Sequence, residues 1–137
     1  MSGLELERFG VGGTVAHLGL LIEDLVQLAR SLRMGAGTAL EEDDIQQAIS
    51  DFDAETEAAT AFVDRHIELI LTGQHDEGGA AMAKLLTTET YGRIAAYGVH
   101  MATMDHLTDD PDAERSRVRL EVAWLWSRAL TISGGSS

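Results

Sequence analysis

The amino-acid sequence predicts an all-α protein, an up-down-up-down antiparallel four-helix bundle. Three observations favour this class. Four segments repeat apolar residues with helical spacing, and short polar or glycine-containing turns separate them. A single proline and few clusters of β-branched residues favour helices over strands. The 137 residues are the length of one domain, which we expect to cover residues 1–137.

The first predicted helix covers residues 4–34. Its apolar residues recur at i, i+3, i+4 and i+7: Leu18, Leu21, Ile22, Leu25, Leu28 and Leu32. Gly10, Gly12 and Gly13 weaken its early turns by roughly 1 kcal/mol each relative to alanine, so close helix packing or a bound ligand has to compensate. Residues 35–37 contain two glycines and end the helix.

The second predicted helix begins near the sequence TALE. Thr38 can cap it while Glu41 reaches back as a capping box, although a start at Glu41 or Glu42 fits equally well. The acidic run at 41–44 is favourable charge for a helix N-terminus. The predicted apolar stripe consists of Ile45, Ile49, Phe52, Ala59, Phe62, Val63, Ile67 and Ile70. Glycines and polar residues predict a turn at 72–79.

The third and fourth helices are predicted at residues 80–107 and 111–132. The third is expected to bury Met82, Leu85, Leu86, Ile94, Ala95, Val99 and Met101. Asp110 caps the fourth, and Pro111 occupies its first helical position. The fourth is expected to bury Val118, Val122, Leu125, Trp126 and Leu130. Trp124 points to a different face from Trp126, so one is expected in the core and the other at an interface. The tail SGGSS is predicted to be flexible.

Composition restricts the classes of partner and site. The chain has no cysteine, which excludes disulfides, thiolate zinc sites and a cysteine nucleophile. Twenty-three acids against ten lysines and arginines give a formal net charge of −13, which argues against nucleic acid as a partner. No apolar stretch reaches the roughly 20 residues that cross a bilayer. The acidic N-terminus is unlike a signal peptide, so a cytoplasmic location is expected.

The residue patterns of several common sites are absent from the sequence. None of the five histidines follows a glutamate by three positions, which argues against the di-iron centre found in some helical bundles. The acidic run at 41–44 lacks the spacing and the glycine of a calcium loop. GVGG at 10–13 is too short for a dinucleotide fingerprint, and no predicted strand precedes it. No metal ligand is therefore predicted.

Three stretches together resemble the acyl-CoA dehydrogenase family. AAMAKLLTTETYGRIA (80–95) is similar to the family's alanine-rich helix, with Lys84 and Glu89 on its lysine and glutamate. SRALTISGGSS (127–137) resembles the segment before the family's last helix. MSGLELERFGVGG (1–13) resembles the start of its C-terminal helical domain, and is most similar there to the isovaleryl-CoA dehydrogenase branch. The resemblance implies a C-terminal helical domain, and we expect the chain to be a fragment of a larger flavoprotein.

The resemblance also implies a catalytic base. These enzymes remove a weakly acidic proton from the α-carbon of an acyl thioester, so the base has to be close, aligned and shielded from water. Most members supply a glutamate at the position of Gly134, which has no side chain here. A minority supply it from the first helix of the bundle, at the position of Glu7. Glu7 is therefore the predicted catalytic residue. The alternative is a helix-start carboxylate paired with Arg8 or a neighbouring arginine. For Glu5, the role of an acid that favours the helix dipole is preferred.

Further residues correspond to the family's contacts with FAD. Arg30 or Arg33 matches an arginine after the first long helix, and Gln46 or Gln47 matches a later glutamine. The Phe-Gly pair between them is missing. The acidic loop MATMDHLTDDPD replaces the family's glycine-rich turn, where a pyrophosphate would meet unfavourable charge. FAD is thus expected in the parent protein or in a heteromer, and we expect the isolated chain to bind it poorly.

Two functions are predicted from these residues. The first is a helical domain of a dehydrogenase that desaturates an acyl-CoA, adding oligomer packing and part of the FAD and acyl-CoA site. Divergent actinobacterial members form heteromers with incomplete flavin sites and act on bulky substrates such as steroid side-chain thioesters, which this chain resembles. The second is a degenerate, non-catalytic bundle that serves as a partner or scaffold subunit. Either predicts a homo- or hetero-oligomer with another subunit of this type.

Overall fold

The computed structural model describes the backbone of residues 3–74, 77–104 and 110–135, and the side chains of residues 15–74, 77–104 and 110–129. Within these residues the chain forms four α-helices, so the predicted all-α class is confirmed. The helices are α1 (Gly3–Ser31), α2 (Asp43–Leu71), α3 (Glu77–Ala102) and α4 (Pro111–Gly135). A hairpin of two-residue strands, β1 (Arg33–Met34) and β2 (Gly37–Thr38), and a 3-10 helix at Ala39–Glu41 connect α1 to α2.

This α1–α2 connection is where the predicted helix boundaries were wrong. The chain turns at Gly35, whose φ of 62° favours glycine, and β1 pairs with β2 in antiparallel register. The N–H of Ala39 donates to the carbonyl of Leu32 at 2.8 Å and closes the hairpin. The N–H of Thr38 donates to Oε2 of Glu41 at 2.9 Å, as the capping prediction requires. Glu41 nevertheless caps the 3-10 helix, and α2 begins only at Asp43.

The other helix ends differ from the prediction by a few residues. Helix α2 ends where Gly73 adopts a φ of 80°, and α3 begins at Glu77, earlier than predicted. Helix α3 ends at Ala102 instead of reaching 107, and residues 105–109 lie outside the described part of the chain. Helix α4 continues to Gly135, so the prediction of a flexible tail is wrong for residues 133–135.

Helix α1 supplies the centre of the core. All six residues of its predicted stripe are buried, with at most 7% of any side chain exposed: Leu18, Leu21, Ile22, Leu25, Leu28 and Leu32. Helix α1 packs against each of the other three helices, and so does α3. Phe52 of α2 meets Tyr97 of α3 edge to face, with ring centroids 5.6 Å apart. Trp124 packs against this core, whereas Trp126 is exposed, which confirms that the two rings face different ways.

Several residues predicted to be buried are exposed instead. Phe62 of α2 and two residues of α3, Met82 and Leu85, are 37 to 49% exposed. The largest error in the prediction concerns α4, where four residues predicted to be buried are exposed: Val118, Val122, Leu125 and Trp126. The buried residues of α4 are smaller or more polar, namely Ala113, Ser116, Leu120, Ala123 and Ser127. The predicted core residue Leu130 lies outside the described side chains.

A buried carboxylate fixes this rotation of α4. Asp24 of α1 is 7% exposed and accepts hydrogen bonds from two side chains of α4. Nε and Nη2 of Arg119 donate to it at 3.0 and 2.7 Å, and the buried hydroxyl of Ser116 donates at 3.1 Å. Hydrogen bonding to Asp24 raises the pKa of the Arg119 guanidinium. A buried carboxylate without partners is costly, so α4 has to present this polar pair to α1.

Small residues let α3 and α4 approach closely. A methyl group added at Gly98 of α3 would lie 2.8 Å from two side-chain carbons of Leu120, which is too short for a real contact. A methyl group added at Gly92, two turns earlier, would lie 3.5 Å from the side chain of Ser127, an ordinary contact. The packing of Leu120 therefore requires a glycine at 98 and tolerates a side chain at 92.

None of the helices in the described part of the chain is long and apolar enough to cross a membrane.

We expect Arg119→Ala to lower the free energy of unfolding by about 1–3 kcal/mol, because it leaves the buried Asp24 carboxylate with one hydroxyl partner. Arg115→Ala is the matched control. Arg115 lies on the same helix, and among the described residues its ion pair is with Asp112 of the same turn, so its removal should change stability by less than about 0.5 kcal/mol. Urea unfolding measures both. Equal losses in the two variants would contradict the role assigned to Arg119.

We expect Gly98→Ala to lower the free energy of unfolding by about 1–3 kcal/mol, because Leu120 cannot keep its position beside a new methyl group. Gly92→Ala, in the same helix, should raise it by up to about 1 kcal/mol, since alanine favours the helix and its methyl fits. Thermal and urea unfolding compare the two. Stabilisation by both substitutions would show that α3 and α4 are not packed as closely as described.

Candidate functional site

The predicted cofactor-binding arginines lie at the end of α1 and in the connection that follows it. Arg30 is in the last turn of α1, and its Nη1 donates to Oε1 of Gln27 at 3.5 Å. Arg33 is in β1, where it pairs with Thr38 of β2. Both side chains are exposed. They provide two positive charges near the end of α1.

The predicted glutamines have local hydrogen-bond partners. Nε2 of Gln46 donates to the carbonyl of Leu40 at 2.9 Å, which ties the start of α2 to the 3-10 helix. Nε2 of Gln47 donates to Oδ1 of Asp51, one turn further along α2. Among the described side chains, no hydrogen bond joins either glutamine to Arg30 or Arg33. The structure brings Arg33 and Gln46 to the same connection, but does not join the four residues into one cluster.

Acidic residues dominate the charge next to this connection. The two arginines are followed by the consecutive acids of residues 41–44. Asp43 and Asp44 lie in the first turn of α2, as predicted, where carboxylates stabilise a helix. Their field extends to α3: burial, and secondarily the charge of Asp44, raise the pKa of the Tyr97 hydroxyl. An anionic group would be repelled at this end of the bundle.

A shallow, open groove of about 550 Å³ lies between α1 and α2. Its lining consists of Gly19, Ile22, Glu23, Ser50, Asp53, Ala54, Thr56 and Glu57, with no lysine or arginine among these described residues. The hydroxyl of Thr56 is buried and has no hydrogen-bond partner in the described part of the chain. Three carboxylates around this groove disfavour a phosphate-containing ligand.

The described histidines are not arranged as a metal site. His66 of α2 is buried, and its Nε2 has no hydrogen-bond partner among the residues described. His17 and His100 are exposed, and His75 and His106 lie outside the described residues. No group of three or more histidines, aspartates or glutamates in the described ranges is arranged to hold a metal ion.

The predicted catalytic residue lies outside the described side chains. Glu7 falls within α1, but side chains are described only from Val15 onward. Gly134, the alternative base position, falls in the last turn of α4. The two residues matched to the family's alanine-rich helix, Lys84 and Glu89, are exposed on α3. Glu89 lies 3.8 Å from Arg93, which also bonds Glu55 of α2 at 2.9 Å, so this part of the motif links α2 and α3.

FAD does not fit the described residues taken alone. Its pyrophosphate needs positive charge or clustered N–H donors. At the predicted contacts, Arg30 and Arg33 are exposed beside the four acids of residues 41–44, and the groove between α1 and α2 is lined by three carboxylates. The glutamines already have local acceptors.

Sequence reasoning missed the residues with the most specific contacts. Asp24 stands inside the apolar stripe of α1, between Ile22 and Leu25, and that position was the available signal of a buried carboxylate. Its partners Ser116 and Arg119 could not be identified from spacing, because they depend on how α4 is rotated. The burial of His66 was also missed, although His66 follows the buried Ala59 and Val63 at helical spacing, and that spacing was the available signal.

The described residues form an all-α domain of four helices. The chain matches the family described as acyl-CoA dehydrogenase, C-terminal domain, over residues 1–137, and it belongs to that family. The family generally uses FAD. Neither a curated protein nor a solved structure matches the chain.

Proposed function

We propose that this chain is the helical domain of an acyl-CoA dehydrogenase-like flavoprotein that desaturates an acyl-CoA thioester between the α- and β-carbons. The observation that supports the proposal most is the family match over all 137 residues. The domain would supply oligomer packing and one side of the FAD and acyl-CoA site. The rest of that site would come from other domains of the parent protein or from another subunit, because the described residues do not hold an anionic cofactor.

The proposal extends to an up-down-up-down antiparallel arrangement of the helices. Two pairs of contacts between the same helices support it. Asp24 of α1 contacts Ser116 and Arg119 of α4. Ser31 comes after Asp24 in α1, and its hydroxyl donates at 3.3 Å to Oδ2 of Asp110, which comes just before α4. The contacts between α1 and α4 therefore run in opposite directions along the two helices. Along α3 and α4 the contacts likewise run in opposite directions, since Gly92 lies near Ser127 and Gly98 near Leu120.

Glu7 is the proposed base. A glutamate at its position and a glycine at 134 are the pattern expected for the isovaleryl-CoA dehydrogenase branch, and this is the relation we propose. In the assembled site the Glu7 carboxylate would take the proton from the α-carbon of the thioester. Burial of that carboxylate would raise its pKa and improve its match to the weakly acidic carbon. Bulky side-chain thioesters are the substrates that fit the divergent members which the chain resembles.

A second candidate function is a non-catalytic partner subunit. The acidic α1–α2 connection and groove favour it, because a domain that holds FAD would gain from positive charge at these places. In that case Glu7 would be a helix-start carboxylate. The two functions differ in whether Glu7 affects substrate chemistry once a complete site has been assembled.

The visible absorption spectrum of the purified chain distinguishes these functions. We expect no oxidised-flavin band for the chain alone, and a band when it is produced with its complementary subunit or as part of the parent protein. In that complex, Glu7→Gln should abolish bleaching of the flavin by acyl-CoA, because no base remains to take the α-proton. Glu5→Gln is the matched control and should leave the bleaching unchanged.

Three outcomes would contradict the proposal. Unchanged bleaching in Glu7→Gln would remove Glu7 from the chemistry. A flavin-free complex would leave the partner-subunit function. Full dehydrogenase activity of the isolated chain would contradict the incompleteness of its site.

A further inference from the structure

Helix α4 carries two rows of residues with the alternating spacing of three and four that paired helices use. The inner row is buried: Ala113, Ser116, Leu120, Ala123 and Ser127. The outer row is apolar and exposed, at steps of four, three and four: Val118, Val122, Leu125 and Ala129. The large ring of Trp126 lies beside it. A helix with packing residues on opposite sides normally has neighbours on both sides.

The outer row is too apolar to be ordinary surface. Val118 and Val122 are 44% and 48% exposed, and Leu125 and Trp126 are each 61% exposed. These four residues occupy a little over two turns of one helix, so their exposed areas adjoin. Contiguous apolar surface of this kind marks an interaction site.

We propose that the outer row of α4 packs against the same row of a second copy of this chain, with the two α4 helices antiparallel about a two-fold axis. The proposal rests on the spacing, exposure and charges of α4 and does not depend on the proposed dehydrogenase function. A two-fold axis brings one surface onto itself, so every contact has to occur twice.

One register gives apolar layers throughout. Placing Val122 opposite Leu125 of the second copy also places Val118 opposite Ala129 of the second copy. Symmetry repeats both layers on the other side of the axis. The four layers pair a larger side chain with a smaller one, as knobs-into-holes packing allows.

The same register places opposite charges at one flank of the row. Glu121 comes within side-chain reach of Arg128 of the second copy, and the symmetric pair forms as well. Glu121 accepts a hydrogen bond from Arg117 through Oε1, and its second carboxylate oxygen can accept another from Arg128 of the second copy. The guanidinium of Arg128 lies over the Trp124 ring at 5.9 Å, a contact that uses its face and not its N–H edge.

The other flank brings a cation to an aromatic ring. In this register Arg119 lies near Trp126 of the second copy, twice by symmetry. Asp24 already holds the Arg119 guanidinium, while 56% of the Arg119 side chain stays exposed. An arginine fixed in this way loses little conformational freedom when a ring stacks on it.

The charge distribution favours α4 as the contact. Two copies with a net charge of −13 repel each other. Helix α2 contains eight acids and one arginine, whereas α4 contains four arginines and three acids. A second copy therefore meets the least repulsion when it approaches along α4.

Sedimentation velocity of the 137-residue chain over a range of concentrations tests the proposal. We expect a monomer–dimer equilibrium. Val122→Glu should raise the dimer dissociation constant by at least about 100-fold, because two charges enter the apolar seam. Leu85→Glu is the matched control: Leu85 is 49% exposed on α3, outside the row, and its substitution should leave the dissociation constant unchanged. Circular dichroism checks that both variants are folded.

Exchanged charges test the register. Arg128→Glu alone should raise the dissociation constant about tenfold at low salt, since two attractive pairs become repulsive. Adding Glu121→Arg should restore it, because the pairs are then reversed and attractive again.

The proposal is overturned if the wild-type chain stays monomeric, or if Val122→Glu and Leu85→Glu weaken association equally. Failure of the double charge exchange to restore association would overturn the antiparallel register. None of these readouts depends on flavin or substrate, so they are separate from the outcome for Glu7.

Discussion

The contact between Asp24 of α1 and the Ser116–Arg119 pair of α4 determines which side of α4 faces the core. A carboxylate buried in the apolar stripe of α1 has to be satisfied, and the two donors sit on the small, polar side of α4. Packing by apolar area alone would have turned the larger side chains inward. The need to satisfy one buried charge outweighs that gain, because an unpaired carboxylate costs several kcal/mol.

The rest of the α4 environment follows from this rotation. With Ser116 and Ala123 inside, α4 comes close enough to α3 that Leu120 packs against Gly98 without room for a methyl group. The valines, Leu125 and Trp126 are left on the outside, where they form the surface assigned to a second copy. Stability and association are therefore linked through the same helix: the contact that holds α4 in place also exposes its apolar row.

The sequence predicted the parts of this structure that local pattern determines. The stripe of α1 and the helix start at Pro111 depend on residue spacing and capping, and the structure places them nearly as expected. The hairpin at β1 and β2 was missed because two-residue strands carry no periodic signal. The orientation of α4 was wrong because both of its sides have helical spacing, and the choice between them depends on Asp24, about ninety residues away.

For the candidate site, too, the sequence pointed to residues but not to their surroundings after folding. Resemblance to the family pointed to Glu7 as the candidate base and to Arg30, Arg33, Gln46 and Gln47 as candidate cofactor contacts, and the family itself is established by the match over the whole chain. Whether those residues form a cofactor site depends on the charges that surround them after folding. There the acids at 41–44 and in the groove oppose an anionic ligand, which is why the proposed function needs a site completed from elsewhere.

The orientation of α4 can be tested most directly by thiol labelling, because the chain contains no cysteine. At protein concentrations low enough to favour the monomer, Val122→Cys should react nearly as fast as an exposed thiol, and Ala123→Cys should be strongly protected. Faster labelling at 123 than at 122 would show that α4 faces the core with its larger side chains, and would contradict the role of Asp24.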